Sequence, residues 1–155
     1  PAFAGSTSSS FLITASVVAN CTISVTTNMA FAGYDPLGAN GVDGSDLVAN
    51  GALSVACLKN TIARISLDQG NNPSVGSTCL TPVRQMANAS DHLIYGLYQD
   101  SGLTTVWGCD NPGNDMSYSS SSRTPVIKTV YGKIPKNQEV RTGSFSDNVT
   151  ATISF

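Results

Sequence analysis

Hydrophobic and polar residues alternate from Phe11 to Val25, in the run FLITASVVANCTISV. Phe11, Ile13, Ala15, Val17, Cys21, Ile23 and Val25 hold odd positions, while Thr14, Ser16, Asn20 and Thr22 fall among the even ones. Period-two alternation predicts a strand with one buried face. The same register reaches back weakly to Phe3, through a soft GSTSSS stretch. Strands usually run about 3–10 residues, and one of about fifteen would span roughly 50 Å. A domain of this length is only about 40 Å across. The segment therefore either bends to serve two sheets, or its first half belongs somewhere other than its own domain.

Strand patterns recur along the rest of the chain, and helical spacing is nearly absent. Ala19–Val25 completes the first strand, and Met29–Asp46 reads as a loop rich in Gly, Asp, Asn and Pro. Gly51–Leu58 (GALSVACL) alternates, with Leu53, Val55 and Cys57 on one face. Thr61–Leu67 (TIARISL) follows across Lys59-Asn60, with Ala63, Ile65 and Leu67 on one face and Ile62 apart from them, and the two runs predict a hairpin. Gln69–Thr78 is another loop. Helical spacing appears only around Val83–Leu93, where Asn88, Ser90 and Asp91 interrupt it. Leu93–Tyr98 predicts a core strand, Thr104–Trp107 a short strand, Cys109–Thr124 a long polar loop and Pro125–Gly132 a strand. In Ser144–Phe155, the residues Phe145, Val149, Ala151, Ile153 and Phe155 share one parity. Six or so strands with long turns predict an all-β, immunoglobulin-like sandwich. There is no internal repeat.

Composition narrows the setting. The chain has 155 residues, of which 12% are charged, about half the usual share. A surface rich in Ser, Thr and Asn but poor in charge suits an extracellular protein within an assembly, not a free cytosolic enzyme. Net charge is −2 and the Lys and Arg residues are dispersed, so no patch exists to neutralise nucleic-acid phosphates. No apolar run approaches the roughly 20 residues of a membrane helix, so no membrane insertion is expected. Cys21, Cys57, Cys79 and Cys109 are widely spaced, and the chain has one histidine. That argues for two disulfides made in an oxidising compartment over a zinc site, with three pairings open. No complete signal peptide is present, so the chain reads as mature, although Ala2-Phe3-Ala4 has the small-x-small form of a signal-peptidase site.

Candidate chemistry is sparse. His92 lies beside Asp91, but no nucleophile elbow or orienting partner accompanies it, and an ordinary strand-edge histidine is the stronger reading. A copper site would need a second histidine. Asp35, Asp43, Asp46, Asp110 and Asp115 could bind calcium, yet none fits an EF-hand pattern, and solvated turn residues explain them. Asn20-Cys-Thr, Asn88-Ala-Ser and Asn148-Val-Thr match the glycosylation sequon; in a bacterial source they would be unmodified. Trp107 with Tyr95, Tyr98 and Tyr131 could form a sugar-binding platform, although aromatics in alternating strands more often fill a core. Neither an enzyme nor any cofactor is expected.

Several stretches together resemble a known family: VVANCTIS at 17–24, LSVAC at 53–57, RQM at 84–86, LIYGLYQD at 93–100, Trp107-Gly108, VYGKIP at 130–135 and GSFSDNVTATISF at 143–155. Their order and spacing are similar to those of the archaic (Csu-type) chaperone–usher pilins, also called spore coat protein U-like domains. The second cysteine pair departs from that pattern. The resemblance pairs Cys21 with Cys57, which leaves Cys79 with Cys109. It implies an incomplete immunoglobulin-like β-sandwich lacking its last strand, completed by a donor strand from a neighbouring subunit. On that reading residues 1–18 are the donor segment, with Phe11, Ile13, Ala15 and Val17 as its core-filling side chains, and 19–155 form the pilin domain. Phe145, Val149, Ala151, Ile153 and Phe155 would edge the acceptor groove. The implied partners are identical or related pilin subunits, a periplasmic chaperone and an outer-membrane usher. The implied role is that of a structural subunit of an adhesive cell-surface pilus supporting attachment and biofilm formation, reached through the periplasm. The alternative is a secreted or tip domain that binds carbohydrate or surfaces through its loops. The absence of room for a receptor-binding domain favours a shaft or adaptor position.

Overall fold

The computed structural model describes residues 1, 2 and 4–155; Phe3, where the alternating register starts and the Ala2-Phe3-Ala4 motif is centred, lies outside them. The described residues form strands and no helix: β1 (Cys21–Thr27), β2 (Leu47–Cys57), β3 (Ile62–Leu67), β4 (Arg84–Asn88), β5 (Asp91–Tyr98), β6 (Met116–Ser119), β7 (Val126–Ile134) and β8 (Ala151–Ser154). Every pairing is antiparallel. One sheet runs β1-β2-β7-β5-β4 and the other β6-β3-β8. Alternation places Leu53, Val55 and Cys57 of β2 on a buried face, and likewise Ala63, Ile65 and Leu67 of β3. Leu93, Tyr95 and Leu97 of β5 complete the same core, with Trp107 and Tyr118 inside it. The result is an incomplete immunoglobulin-like sandwich.

The expected hairpin between Gly51–Leu58 and Thr61–Leu67 does not form. Both edges of β2 are taken, by β1 and β7, and β3 lies in the opposite sheet. Asn60 adopts a left-handed φ of 64°, and Asn60 N–H and Ser120 N–H bond to the Ser120 and Thr61 carbonyls. The chain thus turns a corner between sheets, and the two alternating faces meet across the core. Thr104–Trp107 is a loop with one isolated bridge, Tyr98 to Val106, because Asp100 gathers the Thr104 and Thr105 N–H groups into a turn. The polar loop expected over Cys109–Thr124 contains β6, whose Tyr118 is buried. Val83–Leu93 is a strand, a tight turn and the start of β5.

The alternating run at the N-terminus also divides. Only Cys21–Thr27 is paired. The described residues among 1–20 form no strand and are exposed.

Candidate functional site

β1 is one edge of the five-stranded sheet and β8 one edge of the three-stranded sheet, β4 and β6 being the other edges, and a cleft opens into the core between the end of β1 and the residues that lead into β8. A backbone edge without a partner presents unpaired N–H and C=O groups, and an apolar cleft beside it presents unburied surface. The cleft has a volume of about 420 Å³ and is lined by Val25, Leu53, Leu67, Val130, Phe145 and Val149, among others. β1 is pinned to β2 by the Cys21–Cys57 disulfide, at the first residue pair of their ladder. β8 pairs with β3, with Ile65 opposite Ile153 and Leu67 opposite Ala151.

Two devices shape the far end of the cleft. Gly51 of β2 and Gly132 of β7 leave a trough in the inner sheet face, and Met29 and Phe31 lie in it. A Cβ on Gly132 would meet the Met29 sulfur at 2.2 Å. The second device is polar. The Tyr95 hydroxyl donates to Asp147 Oδ2 at 2.6 Å, and Asp147 Oδ1 accepts from the Asn71 N–H and the Asn72 amide. Burial is the largest cause that raises the Tyr95 phenol above its ordinary range, and the Asp147 hydrogen bond adds to it. Beneath lies Arg84, wholly buried, bonded to the Leu67, Asp68 and Trp107 carbonyls. The sequence reading missed these residues as a site. One signal was available: Arg84 and Met86 share a parity in a strand, which puts a guanidinium where a core side chain belongs.

The N-terminal segment leaves at the other end of the cleft, where Val17, Val18, Leu58, Ile62 and Phe155 line a second hollow. Phe11, Ile13 and Val17 are 83%, 80% and 85% exposed, and Ala15 is exposed too. The expected donor residues therefore sit outside their own core. Phe145, Val149, Ala151 and Ile153 are half-buried and packed against the core, whereas Phe155 is exposed. Only Ala151–Ser154 of the last segment is strand. Ser146 instead bridges Ala87 on the free edge of β4, so this segment crosses from one sheet to the other.

The remaining candidates disperse. Cys79 bonds to Cys109, joining two loops. Trp107 is fully buried and its indole N–H donates to the Ile65 carbonyl at 2.8 Å. Tyr95 is buried as well, while Tyr98 and Tyr131 pair on the outer sheet face, so the four aromatics form no platform. Asp35 caps its own turn, Asp46 accepts from Lys136 N–H, and Asp115 is paired with Arg64. No group of three His, Cys, Asp or Glu residues able to hold a metal occurs among the described residues. His92 is exposed, and its own N–H bonds the Asp91 carboxylate.

Comparison with known proteins adds three findings. The Spore Coat Protein U domain model matches residues 7–152, and the chain is 40% identical over 127 residues to Protein U of Myxococcus xanthus, covering 81% of this chain and 70% of that protein. Among solved structures it is similar to a chain of the chaperone–tip adhesion subunit pre-assembly complex from archaic chaperone–usher Csu pili of Acinetobacter baumannii. The TM-score is 0.60 at 20% identity, over 90% of this chain and 40% of that one. The likeness is one of fold, and this chain spans about two-fifths of the solved chain's length.

Proposed function

The chain belongs to the Spore Coat Protein U domain family, and on that premise we propose that it is a structural subunit of an extracellular adhesive pilus, assembled by donor-strand exchange. One juxtaposition carries the reading. An alternating apolar segment lies outside its own core, and a mainly apolar cleft opens between the end of β1 and the residues leading into β8, two strands that are each an edge of their sheet. Strand addition answers both: backbone groups pair along the edges, and alternate side chains fill the cleft, as in pilin donor-strand complementation.

Phe11, Ile13, Ala15 and Val17 are the inserted side chains, and residues 1–18 pass to a neighbouring copy or a related subunit. Burying a large apolar side chain contributes about 1.5–3 kcal/mol. The set supplies roughly 5–10 kcal/mol before ordering costs are subtracted. A cleft of this kind aggregates if left uncovered, so a periplasmic chaperone fills it first, and an outer-membrane usher exchanges that cover for the next subunit. The product is a cell-surface filament that supports attachment and biofilm formation. The role is mechanical, not catalytic.

The test is electron microscopy of chain secreted with its assembly machinery, beside an Ile13→Asp variant. Filaments are expected from the unaltered chain only, because an unpaired charge in an apolar cleft costs several kcal/mol. Filaments of equal number and length from Ile13→Asp, or monomers from both, would end the proposal.

A further inference from the structure

Leu37 is 99% exposed, yet the turn that carries it is braced. Asp35 Oδ1 accepts from the Leu37 and Gly38 N–H groups at 3.2 and 3.0 Å. Asn40 is buried; its side-chain oxygen accepts from the Asp35 N–H, and its amide donates to the Ser45 carbonyl. The Asn137 N–H donates to the Asn40 carbonyl at 2.7 Å, and the Lys136 ammonium to the Gly44 carbonyl at 2.9 Å. Residues 34–46 therefore hold Leu37 out as a fixed apolar knob, with Val42 exposed in the same turn. The turn contains Asp35, Asp43 and Asp46 and no Lys or Arg. Asp35 is occupied by its own turn, and Asp46 by Lys133 and the Lys136 N–H. Asp43 enters no ion pair among the described residues.

β2 joins this turn to the opposite end of the sandwich. It starts at Leu47 and ends at Cys57, and its 11 residues span roughly 35 Å. At that far end an open hollow of about 430 Å³ is lined by Val17, Val18, Leu58, Ile62 and Phe155, with Lys59 in its wall. Ile62 is 73% exposed. The corners there, residues 58–62 and 120–125, contain Lys59 and Arg123 and no Asp or Glu. Neither cation enters an ion pair among the described residues. One end of the molecule thus presents an apolar knob beside a carboxylate, and the other an apolar hollow beside an ammonium.

We propose that residues 34–46 of one copy dock, through Leu37 and Asp43, in the hollow of the next copy, where Ile62, Phe155 and Lys59 receive them. The two surfaces stand at opposite ends of β2, so they meet only between copies. An apolar centre with complementary charges at its rim is the usual anatomy of a specific contact. Both surfaces are also continuous with the donor-strand contact. Val17 and Val18, at the base of the donor segment, line the hollow. Thr27, Met29 and Phe31 line the cleft, and the chain runs from them directly into the turn. A donor segment seated in a neighbour's cleft brings the two surfaces side by side. The contact rests on the donor-strand reading and extends it. The strand attaches one subunit to the next, and the knob in its hollow fixes the angle between them.

The experiment treats filaments of the unaltered chain with a carbodiimide, which joins a carboxylate to an amine only where the two touch, and maps the linked peptides by mass spectrometry. A link from Asp43 to Lys59 is expected, and their separation along β2 makes it a link between copies. Leu37→Asp should form filaments in equal number, since donor segment and cleft are untouched. Its Asp43–Lys59 link should fall about tenfold, the difference that burial of one leucine makes. Unaltered filaments without that link, or an equal yield of it in Leu37→Asp filaments, would overturn the contact and leave the donor-strand reading standing. Should Leu37→Asp yield no filaments, the link in the unaltered filaments alone decides, its presence supporting the contact and its absence overturning it. If the unaltered chain forms no filaments, the donor-strand reading falls and the contact falls with it.

Discussion

Asp115 is buried beside half-exposed Arg64, whose Nε donates to Oδ2 at 2.8 Å and whose Nη2 holds the other oxygen. The Arg64 hydrogen bond keeps the Asp115 carboxyl below the ordinary carboxylate range, against the opposing effect of burial. Backbone N–H groups of Arg141 and Thr105 do the same for Asp91 and Asp100. A carboxyl held low in the folded chain contributes stability that is complete above its unfolded value, about 4. That stability is lost as pH falls through the lower folded value. The urea midpoint should thus fall below about pH 4, and less steeply in Asp115→Asn; equal slopes would remove Asp115 as a source. Trp107 gives a second residue-scale test. Trp107→Phe leaves the buried Ile65 carbonyl without its indole donor, which costs about 1–3 kcal/mol, and the smaller ring adds a cavity cost. A urea midpoint unchanged at constant slope would contradict that account.

The two disulfides do different work at the scale of elements. Cys21–Cys57 joins a directly opposed pair in the β1–β2 ladder and so secures one lip of the cleft. Cys79–Cys109 joins loops away from it, beside Asn114, whose amide bonds the Cys79 and Leu80 carbonyls. Each bridge contributes about 3–4 kcal/mol by constraining the unfolded chain. Replacing Cys79 and Cys109 together by Ser should lower Tm yet leave donor-peptide affinity within about twofold, while replacing Cys21 and Cys57 should lower both. Peptide mapping without reduction provides the check on connectivity, since Cys21 linked to Cys79 or Cys109 would contradict the assignment.

What the sequence made legible at this scale was which faces are buried, not which sheet holds them. Alternation marked Leu53, Val55 and Cys57, and Ala63, Ile65 and Leu67, correctly as inward sets. A hairpin and a sandwich corner demand the same alternation, so the sheet change at Asn60 left no trace in the pattern. The β4–β5 turn was hidden for a local reason. Ala89 takes a left-handed φ of 51°, a conformation that glycine or asparagine usually signals. β6 escaped because its four residues are mostly polar and alternate with only Tyr118 fully inward. The cleft was implied by the family resemblance, while the excess length of the first run pointed only to a bend between sheets or to a segment that belongs outside its own domain. The polar end of the cleft was not foreseeable, because Arg84, Tyr95 and Asp147 meet only after the sheets have packed.

At the scale of the whole molecule, the proposed donor and acceptor are different surfaces of one chain, so the assembly we propose is head-to-tail and does not close by two-fold symmetry. On that proposal each subunit gives one segment and takes one. A chain lacking residues 1–17 should keep its strands, since none among the described residues begins before Cys21, and it should still accept a donor. It has nothing to give, so it can stand only at one end of a filament. Mixed into assembling full-length chain at about one part in ten, it should limit mean filament length to roughly ten subunits, because each incorporation ends growth in one direction. Ile13→Asp should act in the same way, since its segment is present but barred from an apolar cleft. Length distributions from electron microscopy across a series of mixing ratios provide the measurement. Mean length that varies inversely with the truncated fraction is the expected outcome. If lengths stay constant while the truncated chain is found along the filament, residues 1–17 are not the donor, and the exposed alternation from Phe11 to Val17 serves a surface contact instead.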